Sequence, residues 1–409
     1  MSTRQVNPNR IRPIDLIPAL SGLIGKIALV SSFAVVWAQV LNITTPDFVF
    51  KNVQIELIIG SAVSLIAALL LPNMSPAGTL APLVVLIPAM AGYGVHPFVL
   101  SILVGIVGII SIKTRLFHVL ISLSGIISKT SITMTFGISG IMLSLKNLQS
   151  FFGDNMAPLF IMIGISLISF LILMRKNITW LIIPISAAVS IVLPLIFGFS
   201  IDYAVTTTLP NFNPSYWWYE VWGVGFGFDI RTILVTLPFA FFAILLWAID
   251  TVSVQAMIDA NYKEDEAKEE IDLDRSFILA ALRNMIGGTF GGAQTAALWR
   301  SFLIPLFMVK RPVRYSSILL GILGIIAGFS AVPIKVLSFP PLIWSVLLFG
   351  IFLPFINVGI RNIINAKSNV NRISIVIFTT LGVVFTPILT WVGAVVFEKT
   401  QKRFLKNKD

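Results

Sequence analysis

Arg300 lies in "GGTFGGAQTAALWRSFLIPLFMV", residues 287–309, a run with no other charge. Asp250 lies upstream in "LPFAFFAILLWAIDTVSVQAMI", equally free of other charges. A charge at the centre of a bilayer costs about 2.5 kcal/mol or more, so such residues face a protein interior or a wet cavity and handle a ligand or ion. The guanidinium of Arg300 offers fork-shaped donors that match an oxyanion or a carboxylate. Asp250 can neutralise Arg300, carry a proton or help bind a cation; the plainer alternative is a structural ion pair with Arg300 or Lys26. Lys26, in "LSGLIGKIALV", either faces the same cavity as a second cation or snorkels to an interface.

The residues before Arg300 matter as much. Gly287, Gly288, Gly291 and Gly292 are poor helix formers and permit backbone turns. A helix starting near Gln294 or Thr295 inside the membrane would aim free N–H groups at a cavity, where an anion is attracted, with Arg300 one to two turns in. The competing reading is that these glycines serve only close helix packing. "SPAGTLAPLVVLIPAM" (75–90) echoes "GGAQTAALWRSFLIPLFM" (291–308): small and polar residues first, then an apolar run with Leu-Ile-Pro. Paired, interrupted segments of this kind point to a midplane site. Thr79, Leu80 and Ala81 with Gln294, Thr295, Ala296 and Ala297 are therefore the candidate contacts from two facing half-helices.

The elements that must hold these residues follow from composition. The chain has 409 residues, 56% of them hydrophobic and 11% charged, with mean hydropathy +0.93. Ordinary soluble domains carry roughly a quarter charged residues. Long apolar runs capped by short basic clusters give an all-α polytopic membrane protein, with the lipid bilayer as its solvent. A transmembrane barrel would show short alternating strands instead. The absence of cysteine excludes disulfides and thiol chemistry. No Walker loop, nucleophile elbow or zinc-hydrolase motif is present, so no enzyme is expected. His96 and His118 have no partners at ligand spacing, and no metal or other cofactor is expected beyond a coupling H+ or Na+. The net charge of +11 marks loops, not a nucleic-acid surface.

About 14 transmembrane segments are expected, as two inverted seven-segment repeats with short half-helices at segments 3 and 10. The divisions are a cytoplasmic N-terminus at 1–13, a first repeat at 14–199, an extracytoplasmic loop at 200–230, a second repeat at 231–398 and a basic tail at 399–409. The first apolar run reads as a retained helix, not a removed signal peptide. With both termini cytoplasmic, most basic residues fall inside, including Arg4, Arg10, Arg12, Lys113, Arg115, Lys263, Lys268, Lys310, Arg311 and Arg314. The outside keeps Lys51, Lys146, Arg231 and Lys335, which fits the positive-inside rule. Lys26, Lys129, Arg283 and Arg300 fall within apolar segments; for Lys129 and Arg283 snorkelling or interior pairing is expected. The Tyr and Trp cluster of the 200–230 loop suits an interfacial belt better than a lid. The acidic stretch "DANYKEDEAKEEIDLDR" (259–275) reads as a solvated cytoplasmic hairpin.

"WAIDTVSVQAMIDA" (247–260) and "DLDRSFILAALRNMIGGTFGGAQTAALWRSF" (272–302) resemble the region around the eighth to tenth segments of SulP-type anion transporters, the sulfate-permease family. The resemblance matches the family's acidic residue on the eighth helix to Asp250. It matches the polar-headed ninth helix to Asn284, and the short tenth helix with its Arg to Arg300. It implies a core and a gate domain built from seven-plus-seven inverted repeats, a fold shared with nucleobase–ascorbate permeases. It also implies a homodimer in a bacterial inner (plasma) membrane. The chain, with "LPNFNPSYWW" at 209–218, also looks like little-characterised bacterial relatives of that family. It departs from the family at Ala28-Leu29, where a Pro-Gln pair is expected, and in having no C-terminal STAS domain.

The expected function is secondary active transport of a small anionic solute, an inorganic oxyanion or a carboxylate, by an elevator-type motion. The alternatives are a proton-coupled nucleobase or purine-like permease and a passive anion channel. An acid in place of Arg300 on the tenth segment would have favoured the nucleobase reading.

Overall fold

The computed structural model describes residues 10–71, 73–176, 178–203, 209–261, 271–292, 294–366 and 368–406. Arg4, Lys263, Lys268 and most of the acidic hairpin lie outside the described residues.

The chain runs through α1 (Leu16–Leu41), α2 (Phe48–Leu70), a 3-10 turn Ala81–Leu86 leading into α3 (Ile87–Gly92), and α4 (Pro97–Lys113). Then follow α5 (Leu116–Leu123), α6 (Ile126–Phe152), α7 (Ala157–Arg175) and α8 (Ile182–Ile196). The second half holds α9 (Ile230–Asn261), α10 (Leu273–Thr289), α11 (Arg300–Val309), α12 (Val313–Gly328) and α13 (Ala331–Leu337). It closes with α14 (Pro340–Leu347), α15 (Leu353–Ile364), α16 (Asn369–Val384) and α17 (Pro387–Lys406).

Helix boundaries follow local chemistry. Proline sits in the first turn of α4, α7 and α14, where its missing N–H costs nothing. Asp272 caps α10 by accepting from the Arg275 N–H at 2.9 Å. Asn42 ends α1 in the left-handed conformation that Asn tolerates. Pro354 cannot donate to the preceding turn, and the backbone widens at Leu348–Phe352, so α14 and α15 form one span of 25 residues.

Among the described residues, seven helices are long and apolar enough to cross a membrane, or nine when α4 with α5 (bent by 86°) and α12 with α13 (bent by 98°) each count as one span. Three shorter apolar helices are Ala81–Gly92, Arg300–Val309 and Asn369–Val384. Length and composition therefore do not by themselves reach about 14 spans. The architecture is nonetheless an all-α membrane domain, and its interruptions recur in order. Each half has an extended segment feeding a short helix, then a sharply bent span.

Helices α1, α2, α4 and α9–α12 pack mainly on one another. Helices α6–α8 and α14–α17 form a second group, which α1 touches through α8 and α14. Glu398 of α17 ties that second group together. Its carboxylate accepts from the N–H groups of Gly125 (3.1 Å) and Ile127 (2.7 Å) and from the Ser128 hydroxyl (2.8 Å) at the start of α6. A carboxylate is favoured there because the first N–H groups of a helix have no partner within it.

Candidate functional site

The two extended segments before the short helices cross in the core. The Gly78 N–H donates to the Ala297 carbonyl and the Leu80 N–H to the Thr295 carbonyl, both at 2.7 Å, with an antiparallel bridge at Ala77–Leu298. A Cβ on Gly78 would lie 2.5 Å from the Trp299 Cα, so this close approach requires glycine. The pairing satisfies backbone groups that membrane-depth irregular structure would otherwise leave bare.

This crossing corrects the expected start of the tenth segment. Helix α11 begins at Arg300 itself, not at Gln294 or Thr295. Tertiary pairing holds 294–299 extended, so Arg300 stands in the first turn, just before Phe302 and Leu303, whose N–H groups donate to the Trp299 carbonyl. The Leu-Ile-Pro echo is not equivalent in space either: Pro88 opens α3, whereas Pro305 lies inside α11.

Arg300 forms an ion pair through Nη2 with Asp250 of α9. The Asp250 side chain is 7% exposed and the Arg300 side chain 25%, so the carboxylate is the buried anchor and the guanidinium keeps an open side. Arg300 Nε has no partner, and the guanidinium carbon lies 5.2 Å from the ring centre of Phe355 on α15. The pair belongs to the first helix group, and the ring belongs to the second.

Thr79, Leu80, Ala81, Gln294, Thr295, Ala296 and Ala297 are all buried at the crossing. Several of their backbone groups are already engaged. Asn284 of α10 clamps Ala296, accepting from its N–H at 2.5 Å and donating to its carbonyl at 3.3 Å. That carbonyl also accepts from Trp247 Nε1 at 3.0 Å. The Leu80 N–H and the Ala296 N–H are thus held by the protein.

Gln294 leads to charged residues that the sequence did not single out together. Its amide donates to Glu56 Oε2 of α2 at 2.8 Å, and its carbonyl takes the Thr79 hydroxyl. Glu56 pairs with Arg283 of α10; their side chains are 1% and 0% exposed. Lys26 is 1% exposed and therefore does not snorkel. Its ammonium nitrogen lies 4.3 Å from the Trp299 ring centre and has no hydrogen-bond partner. Arg283 pairs internally. Glu56 escaped notice because it sits at the start of an apolar run; the signal was Asn52, Gln54 and Glu56 at alternating positions.

Of the aromatic loop, Trp217 and Trp222 face inward, each 2% exposed, and do not form a lipid belt. Trp222 Nε1 donates to the Gly291 carbonyl at 2.9 Å and packs edge-on against Phe48 and Phe98, bracing the glycine turn before Gln294. Tyr219 remains exposed.

A family model described as "Protein of unknown function (DUF3360)" matches residues 7–403. No curated protein matches the sequence. The fold is similar to the transmembrane domain of a cyanobacterium bicarbonate transporter, BicA. That match has a TM-score of 0.59 and 14% identity, covering 95% of this chain and 99% of that one. It is also similar to the murine Solute Carrier 26 family member A9 anion transporter in the inward-facing state. There the TM-score is 0.60 with 11% identity, covering 98% of this chain and 70% of that one. These likenesses show the fold: the chain has the membrane architecture of these two structures.

Proposed function

The chain belongs to the family described as proteins of unknown function, DUF3360, and from its fold and site we propose that it is a secondary transporter for a small anion. The observation that carries this reading is the Arg300–Asp250 pair: a guanidinium with an open side, at the first position of a short helix, anchored by a more buried carboxylate. The first N–H groups of α11 and the guanidinium would together take an inorganic oxyanion or a carboxylate. Thr79, Leu80 and Ala81, where the opposing 3-10 turn begins, would close the other side, with Asp250 as the balancing charge. Phe355 would form the wall contributed by the second helix group. The similarity to BicA and to the Solute Carrier 26 protein supports an anion as cargo.

The first helix group sliding past the second would carry the pair across the membrane, an elevator-type motion. A plasma-membrane location with cytoplasmic termini fits the basic clusters of the loops.

The test is uptake by proteoliposomes of labelled sulfate, oxalate and fumarate, with labelled uracil and xanthine as controls. Arg300→Ala is expected to lower anion uptake at least about 100-fold, the loss of about 3 kcal/mol, while the purified variant keeps its cooperative thermal transition. Normal anion uptake by that variant would sink the assignment. Uracil uptake that depends on Asp250 and ignores Arg300 would replace it with a nucleobase permease.

A further inference from the structure

We propose that Lys26, set beside the Arg283 guanidinium of the buried Arg283–Glu56 pair and behind the crossing of the two extended segments, is a proton-binding group of this transporter. The proposal rests on the anion-transport reading above and adds the coupling ion and its site.

Lys26 reaches from α1 into the interior, where Gly60 of α2 makes room: a Cβ there would collide with Nζ and lie 3.2 Å from Arg283 Nε. Arg283 sends its guanidinium to the same place from α10 and pairs through Nη2 with Glu56. The two cationic side chains thus meet beside Gly60, and only Arg283 has a carboxylate as its partner. Lys26 Nζ, Arg283 Nε and Nη1, and Glu56 Oε1 have no hydrogen-bond partner. Like charges repel strongly in a dry interior, and an ammonium without an acceptor is costlier to bury than a neutral amine. Lysine, unlike arginine, can relieve this by releasing a proton. The step is simple: the Lys26 amine takes H+ and becomes an ammonium, and no other bond changes. With Arg283 at +1 and Glu56 at −1, the cluster moves from zero to +1.

The other charged and titratable groups on elements around α1 are engaged or distant. Arg300 pairs with Asp250, Lys335 of α13 with Asp47, and Asp15 with Arg311. Arg314 and Tyr315 lie in the first turn of α12, and α3, α8 and α14 contain no titratable residue. Arg283 is the charged group beside Lys26, and Glu56 is the partner of Arg283.

The cluster touches both extended segments. Glu56 Oε2 accepts from Gln294, which takes the Thr79 hydroxyl, and Lys26 lies over Trp299, the residue before Arg300. A positive charge gained at Lys26 would favour an anion at Arg300, so proton and anion would enter together.

Two measurements test this. In detergent, thermal unfolding midpoints of wild type and Lys26→Met are compared from pH 6 to pH 9. The difference between them is expected to change with pH; a flat difference overturns the proposal, because a lysine fixed in one protonation state binds no proton. A difference that follows chloride concentration at constant pH also overturns it, in favour of a resident anion. In proteoliposomes, uptake of labelled sulfate and fumarate is measured with and without a gradient of one pH unit, acid outside. The wild-type ratio should approach about ten, the limit for one coupled proton, and Lys26→Arg and Lys26→Met should bring it to about one. A ratio that survives in either variant overturns the proposal. Failure of the wild type to take up either anion would count against the anion reading, and the titration would still decide the proton site.

Discussion

Gln294, in the extended segment before α11, donates its amide to Glu56 of α2 at 2.8 Å while its carbonyl takes the Thr79 hydroxyl. One side chain therefore joins a buried ion pair to both strands of the crossing. The stability of the crossing and of the Glu56–Arg283 pair should be coupled, which gives the first prediction.

Glu56→Gln leaves Arg283 as a buried cation without a carboxylate. Removing one partner of a buried pair costs about 3–5 kcal/mol, whereas removing both costs less because no bare charge remains. Glu56→Gln should lower the unfolding midpoint strongly, and Glu56→Gln with Arg283→Met should recover part of the loss. Denaturation in detergent checks this; a double variant as unstable as the sum of the singles would mean that the pair is not a unit.

Gly78 is the narrowest point of the crossing. A methyl group there meets the Trp299 Cα at 2.5 Å, and both sides are backbone that cannot swing away. Gly78→Ala should cost about 1–3 kcal/mol, as overpacking does, and should reduce anion uptake by displacing Arg300. Gly164→Ala on α7, where an added Cβ meets nothing within 4 Å, is the control and should unfold like wild type. Equal behaviour of the two variants would remove the crossing as a constraint on the site.

The Arg300–Asp250 pair was legible because each residue is the lone charge in a long apolar run. The glycine turn before Gln294 was legible for a similar reason. What was hidden has one cause, tertiary pairing. Residues 294–299 look able to open a helix, but their carbonyls bind Gly78 and Leu80, and the helix waits until Arg300. Glu56 and Arg283 are far apart in sequence, and each alone reads as an ordinary charge near a segment end. Trp217 and Trp222 have the composition of a membrane belt, yet Trp222 Nε1 finds its partner in the Gly291 carbonyl. Composition reports that a residue is amphipathic, not which surface it meets.

Glu398 caps a helix that begins in a sharp turn, from a helix far along the chain. Glu398→Gln keeps the shape but weakens the charge-assisted bonds to Gly125, Ile127 and Ser128, and should cost about 1–2 kcal/mol. The loss should appear as faster hydrogen exchange at the start of α6, with the Arg300 region unaffected. Uniform exchange across the protein would show that the contact carries no local stability.

His96 precedes α4 and faces the aromatic loop, with Nε2 3.4 Å from the Val224 carbonyl and Nδ1 unpartnered. Burial lowers its pKa from the ordinary value of 6.5, against the smaller raising effects of the Val224 and Gly225 carbonyls and of Asp229. A group whose folded pKa is depressed contributes stability above its unfolded pKa and loses it as pH falls through the folded value. The loop should therefore be held firmly above pH 6.5 and loosen progressively below it, because protonation places an unpartnered N–H in a dry contact. Trp222 braces the Gly291 turn, so loosening should also expose its indole. Fluorescence of a variant retaining Trp222 as its main reporter, titrated from pH 8 to pH 4.5, should red-shift on the acid side of pH 6.5. His96→Gln, which cannot gain the proton, should remove the shift. If the shift persists in His96→Gln, a group other than His96 controls the loop.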